Sequence, residues 1–158
     1  MHLWDWGPQG LNTAVEASEL YVLLFDKRFL VLARSLGLVV LLYLRYVDDI
    51  SIVMPPIKPG WCYSREHNSL KFNPEHEYAP MAGDRRTMLV LRDIADTVDP
   101  NLRFTVDCPS MNQNRKLPIL DLQFWVEGET LLHHGIYKKL MSPERTIMAQ
   151  SAISQGIK

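Results

Sequence analysis

Residues 42–54 read LYLRYVDDISIVM, an apolar stretch rich in β-branched and aromatic side chains that two adjacent carboxylates, Asp48 and Asp49, cut in half. Composition of that kind favours strand. Asp tolerates the backbone that tight turns demand, so the segment reads as a β-hairpin with Asp48-Asp49 as the polar step between its strands. Strand alternation puts Leu42, Leu44 and Tyr46 on one face and Tyr43, Arg45 and Val47 on the other, which leaves Asp48 and Asp49 together at the tip. Two carboxylates held side by side repel, and at neutral pH they need a compensating charge. Mg²⁺ supplies one, because it takes oxygen ligands and is commonly held by one or two carboxylates together with substrate phosphates. The plainer alternative is that the two residues only form the turn, a position where Asp is common.

An α+β pattern surrounds the hairpin. Ahead of it, residues 13–33 read as an amphipathic helix capped by Asn12 or Thr13, with Ala14, Ala17, Tyr21, Leu24, Phe25 and Arg28 on one stripe. Gly37 ends that pattern. Residues 55–83 hold five prolines, two glycines and no sustained period, and read as a long loop or insertion. Asp84 is the expected N-cap of a helix that stops at Asp99-Pro100 and buries Met88, Leu91, Ala95 and Val98. Strands are expected at 102–107, 118–126 and 130–139, the last two joined at Glu127-Gly128-Glu129. Ser142, Pro143 and Glu144 then have the pattern of another helix start. The chain thus divides into 1–54, 55–83, 84–141 and 142–158.

Charge and cysteine usage bound the partners. With 47% hydrophobic residues over 158 positions the chain has enough apolar side chain for a real core. Its formal net charge is −1, so the positive surplus that usually supplies sequence-independent affinity for phosphates is missing. Cys62 and Cys108 lie far apart and form no CxxC pattern, which points to a reducing, intracellular setting without separating nucleus from cytoplasm. No membrane partner is expected: the most apolar run, 35–44, falls short of the roughly 20 residues a bilayer span needs. The N-terminus also lacks the pattern of a signal peptide. Cys62, His67 and His76 share the 55–83 segment, but their spacing fits no standard zinc finger. Asp121 reads as a charge within the 118–126 strand, and His133 and His134 alternate faces of the last strand without an assigned role.

Arg45-Tyr46-Val47-Asp48-Asp49, flanked by LLYL and ISIV, resembles the Tyr-x-Asp-Asp box of reverse transcriptases. Downstream and in the same order, LRFTVD (102–107), KLPILDLQFWV (116–126) and GIYKK (135–139) resemble segments that follow this box in retroelement reverse transcriptases of the Penelope-like kind. Those segments are Phe-Thr-x-acid, Leu-Pro-x-Leu-Asp and Tyr-basic-basic. Upstream, PQGLNTAVEASELYVLLFDKRFL (8–30) resembles the glycine-bearing turn and helix that precede the box. The Pro-Thr that usually follows the basic pair is absent from IYKKLMSP.

The resemblance implies the C-terminal part of a polymerase palm, with a catalytic β-hairpin, flanking helices, a C-terminal β-hairpin and the start of a thumb-like segment. It implies RNA-directed DNA synthesis, in which a primer 3′-hydroxyl attacks the α-phosphate of a nucleotide held with two Mg²⁺ ions. Asp48 is then the expected metal ligand and catalytic residue, with Asp49 as its acidic neighbour. Tyr46 and Val47 lie beside the primer end, and Gln9 and Gly10 border the incoming nucleotide and template. Apart from the resemblance, Lys116 is a candidate to contact phosphate or protonate the leaving pyrophosphate, the plainer reading being a solvated loop charge. The implied partners are an RNA template, a DNA primer, a deoxynucleoside triphosphate, and the fingers and upstream palm segment. The family's other metal-binding Asp belongs upstream of the glycine-bearing turn, where this chain begins, so the chain is expected to be incomplete as a catalyst alone. The alternative is a non-catalytic retroelement remnant that acts as a nucleic-acid-binding or protein-binding module. With the upstream part missing, helix 13–33 is expected to expose an apolar face, which predicts poor solubility for the isolated chain.

Overall fold

A computed structural model describes residues 12–128 and 131–137. The fold is α+β, and the chain forms two compact units, Met1–Leu117 and Pro118–Lys158. Gln9, Gly10, Lys138, Lys139 and the Ser142–Glu144 helix start lie outside the described residues.

Helix α1 spans Asn12–Ser35. It ends as a helix with glycine two residues beyond its last turn should. Gly37 takes φ +77, its N–H bonds to Arg34 C=O at 3.0 Å, and Leu38 N–H bonds to Ala33 C=O at 3.0 Å. This is the Schellman arrangement that satisfies the last free carbonyls. The buried stripe of α1 is Phe25, Phe29 and Ala33. Ala17, Tyr21, Leu24 and Arg28, which the sequence pattern placed with Phe25, are exposed, and the side chain of Ala14 lies outside the described residues. The physical reason is where the partners sit: Phe25 stacks on Phe104 at 5.1 Å, and Phe29 meets Tyr43 of the following strand at 6.0 Å. Leu20, Leu23, Leu24 and Val31 of α1 are exposed apolar residues.

Strands β1 (Leu42–Tyr46) and β2 (Asp49–Val53) form an antiparallel hairpin whose inner face joins the core. The segment read as an uninterrupted loop holds a second antiparallel hairpin, β3 (Trp61–Ser64) and β4 (Ser69–Phe72). Four-residue strands are too short to show a period, which is why the proline-rich context concealed them. Gly60 (φ +82) turns the chain into β3, with Phe72 packed over it so closely that a Cβ would sit 2.7 Å from the ring.

Helix α2 spans Gly83–Val98. Asp84 lies inside its first turn and is not its N-cap; its carboxylate accepts hydrogen bonds from the N–H groups of Arg85 and Ser110, both at 2.8 Å. Leu91 and Ala95 are buried as expected, but the centre of the buried face is Val90 and Ile94, with Met88 and Val98 at its margin. Full burial of a side chain of this kind contributes about 1.5–3 kcal/mol. Two buried polar residues on α2 fasten the preceding segment. Arg86 donates to the carbonyls of Ile57 (2.9 Å), Ala79 (3.2 Å) and Met81 (2.7 Å), and Thr87 Oγ1 accepts the Ile57 N–H at 2.8 Å while donating to Gly83 C=O at 2.6 Å. Asp99 ends the helix ahead of Pro100. Residues 102–107 form no regular element, and Leu102 and Phe104 pack on the core; among the described residues the segment joins no sheet, so the expected strand is a connection to a 3-10 turn at Pro109–Met111.

From the end of the first unit onward the described residues form a three-stranded sheet in the order β5 (Leu117–Ile119), β6 (Leu122–Glu127), β7 (Leu131–Ile136). The single strand expected at 118–126 is broken where Leu120 takes φ +55, and Asp121 belongs to that turn, its carbonyl accepting the Tyr137 N–H at 2.8 Å. β6 and β7 pair from Leu122↔Ile136 to Glu127↔Leu131, with the Trp125 and His133 rings stacked at 5.6 Å.

Candidate functional site

Tyr46, Val47, Asp48 and Asp49 meet at the tip of the β1–β2 hairpin. The register runs from Leu42↔Val53 to Tyr46↔Asp49, so the loop is Val47-Asp48, one position earlier than the Asp48-Asp49 step, and Asp49 opens β2. Core packing selects this register. Ile50 and Ile52 reach the core when they stand opposite Arg45 and Tyr43, and a one-residue slip would turn both to solvent. The consequence falls on Val47, which is a loop residue and not a strand residue beside Tyr43 and Arg45. It carries φ +54, in left-handed backbone that a β-branched side chain rarely adopts.

Cross-strand neighbours share a face. The outer face of the hairpin therefore consists of Leu42 with Val53, Leu44 with Ser51, and Tyr46 with Asp49; all but the half-buried Ser51 are exposed. Asp48 is exposed in the loop itself. Among the described residues no ion pair and no side-chain hydrogen bond reaches the carboxylate of either Asp48 or Asp49.

The inner face carries a charged clamp that the sequence pattern did not single out. Arg45 on β1 and Asp26 on α1 form an ion pair, with Arg45 Nε 2.9 Å and 2.8 Å from the two Asp26 carboxylate oxygens and an Nη also bonded to Oδ1. Tyr43 donates its hydroxyl to the same carboxylate at 2.5 Å. The guanidinium lies 5.7 Å over the Phe25 ring, and Arg45 Nη1 reaches the Val47 carbonyl oxygen at 3.5 Å. Burial works against the Arg45 charge, but the Asp26 and Tyr43 contacts outweigh it and hold its pKa above the ordinary value. Burial and the hydrogen bond to Asp26 push the Tyr43 phenol up. The clamp had one legible signal: Arg45 alternates with Tyr46 onto the face that must pack, and a cation on such a face needs a partner. Which acid of α1 supplies it is a tertiary fact.

The tip carries oxygen donors of the type a hard divalent cation takes. It offers two adjacent solvent-facing carboxylates, and no group of three or more His, Cys, Asp or Glu side chains suited to a metal occurs among the described residues. One or two carboxylates completed by water and phosphate oxygens is the usual way in which Mg²⁺ is held. Lys116 is half-buried in the connection ahead of β5, its backbone N–H bonded to Asn114 Oδ1 at 3.0 Å. Of the residues expected at the site, the structure gathers Tyr46, Val47, Asp48 and Asp49 into one hairpin; Lys116 belongs to another segment. Cys62 and Cys108 are buried free thiols whose pKa values burial raises, a setting opposite to that of a nucleophile.

Comparison with family models, with curated proteins and with solved structures finds no match for this chain. Among the described residues no helix is long and apolar enough to cross a membrane.

Proposed function

We propose that this chain is the hairpin-bearing part of a reverse-transcriptase palm and takes part in Mg²⁺-dependent nucleotidyl transfer. The observation that carries the reading is the pair of exposed carboxylates, Asp48 and Asp49, without an ion-pair partner among the described residues, at the tip of a hairpin anchored to α1. Asp48 and Asp49 would hold the cation, whose role when bound is to neutralise phosphate charge and stabilise attacking and leaving oxygens. The chain's own contributions are positional. Anchoring by Arg45, Tyr43 and Asp26 fixes the direction in which the tip points, and the exposed Tyr46 ring on the face of Asp49 offers an apolar surface to a sugar or base. Gln9 and Gly10 keep the roles that the resemblance implies, and Lys116 remains a candidate phosphate contact.

The test is primer extension on an RNA template with Mg²⁺ and deoxynucleoside triphosphates, in parallel with Mn²⁺ binding followed by electron paramagnetic resonance. Extension that disappears in Asp48→Asn supports the reading, and extension that survives it refutes it. A second reading, a non-catalytic module that binds nucleic acid or protein, has its own support in the exposed apolar residues Leu42, Leu44, Tyr46 and Val53 of the outer hairpin face. Tight single-strand binding indifferent to Asp48→Asn, without extension, would favour that module.

A further inference from the structure

Arg45 stands only three residues before Asp48 and is the nearest cation in sequence to the acidic pair. Its Nη1 already touches the Val47 carbonyl, one peptide away from Asp48. A guanidinium so placed is a natural partner for an exposed carboxylate, and pairing there would cancel half of the charge that a divalent cation needs. Among the described residues no such pairing is found: strand alternation puts Asp49 on the outer face with Tyr46, and on the inner face Asp26 engages Nε and Nη of the guanidinium while the Phe25 ring lies beneath it. The Arg45 and Asp26 side chains are 16% and 15% exposed, so solvent competes little for this ion pair compared with one at the exposed tip.

We propose that Asp26 is a positioning residue that sequesters the Arg45 guanidinium on the helix side of the hairpin, leaving Asp48 and Asp49 with their full negative charge for a divalent cation. Asp26 touches neither substrate nor metal; it acts through Arg45. The inference rests on reading Asp48 and Asp49 as cation ligands, and it adds what keeps them available. Charge is conserved across the arrangement: Arg45 is neutralised by Asp26, so the tip presents two unpaired carboxylates where a free Arg45 would leave the net charge of one.

Two readouts on the full chain test it. The first is the Arg45 Nε–H resonance in ¹H–¹⁵N spectra, which needs no metal. In the wild type it should be protected from exchange and unmoved by Asp48→Asn. In Asp26→Asn it should lose protection and become responsive to Asp48→Asn, and Asp26→Glu, which keeps a carboxylate, should restore the wild-type behaviour. The second is Mn²⁺ affinity. Asp26→Asn should weaken it by about three- to fivefold, the scale of one exposed ion pair formed in competition. The double variant Asp26→Asn/Arg45→Gln should recover wild-type affinity. The Nε–H response to Asp48→Asn is what separates the proposal from a merely structural role, since removing one half of a largely buried ion pair can loosen the hairpin more than removing both. An Arg45 Nε–H indifferent to Asp48 in the Asp26→Asn background overturns the proposal, as does a double variant that binds as weakly as the single one. Absence of Asp48-dependent Mn²⁺ binding in the wild type would instead remove the cation reading itself, and the Nε–H readout would still decide whether Asp26 keeps Arg45 from the tip.

Discussion

Replacing Val47 by Asn should stabilise the protein, although Val47 belongs to the turn that carries the candidate site. Val47 holds φ +54, and an L-residue in left-handed backbone costs roughly 1–2 kcal/mol, with Asn among the few types that adopt it readily. Against that relief stands lost apolar burial. Val47 is 66% exposed, so about a third of the roughly 1.5–3 kcal/mol for a fully buried side chain of this size is at stake, or about 0.5–1 kcal/mol. The balance favours Asn by about 0.5–1 kcal/mol, which at this chain length raises Tm by about 1–4 °C. Val47→Thr provides the control, because it gives up similar apolar contact and remains β-branched; no gain is expected from it. Thermal unfolding followed by circular dichroism, with urea midpoints as a second measure, decides the matter. If Val47→Asn is no more stable than Val47→Thr, strain at the turn is not what the structure stores there. A gain confined to Asn, together with weaker primer extension, would place the strain among those kept at functional sites.

Three further outcomes are expected. Thr87→Val leaves the buried Ile57 N–H without its acceptor and should cost about 1–3 kcal/mol, read from urea unfolding; Thr87→Ser, which keeps the hydroxyl, should cost less. Gly60→Ala forces a side chain onto φ +82 and against the Phe72 ring, and should cost about 1–2 kcal/mol and perturb the exposed Trp61–Phe72 pair, visible in tryptophan fluorescence. For Asp84, burial pulls the carboxyl pKa upward, but hydrogen bonds from Ser110 and Arg85 outweigh it and hold the value below the ordinary one. A depressed folded value means that this stabilisation is complete above the unfolded pKa of about 3.9 and is lost as pH falls through the folded value. Asp84→Asn should therefore lower the urea midpoint at pH 7, and the gap to the wild type should close below about pH 4; a gap independent of pH would contradict the assignment.

The α1 and α2 boundaries, the hairpin at residues 42–53 and the α+β class were legible because local chemistry specifies them: helical periodicity, Gly37 at a helix end, Asp99-Pro100 as a stop, and β-branched runs around a turn. Residue-level detail within those elements was not. The sequence placed the turn at Asp48-Asp49 because Asp suits turns, whereas the register is decided by Ile50 and Ile52 seeking the core, which forces Val47 into the loop. It spread the buried stripe of α1 along the whole helix, whereas Phe104 and Tyr43 cover only the part around Phe25, Phe29 and Ala33. Strand pairing at 61–72 and its absence at 102–107 depend on which segments meet, and no local pattern carries that. By itself, then, the sequence determined the two helices, the 42–53 hairpin and the adjacency of the two carboxylates, since these are set by neighbours along the chain. Strand alternation set Arg45 on the face opposite Tyr46, and only the tertiary structure decided that this face packs on α1 with Asp26 as the partner of Arg45. An ion pair across nineteen positions is chosen by packing, because the partner that lies nearest in space, partly shielded from water and in good geometry, wins over one that is merely near in sequence.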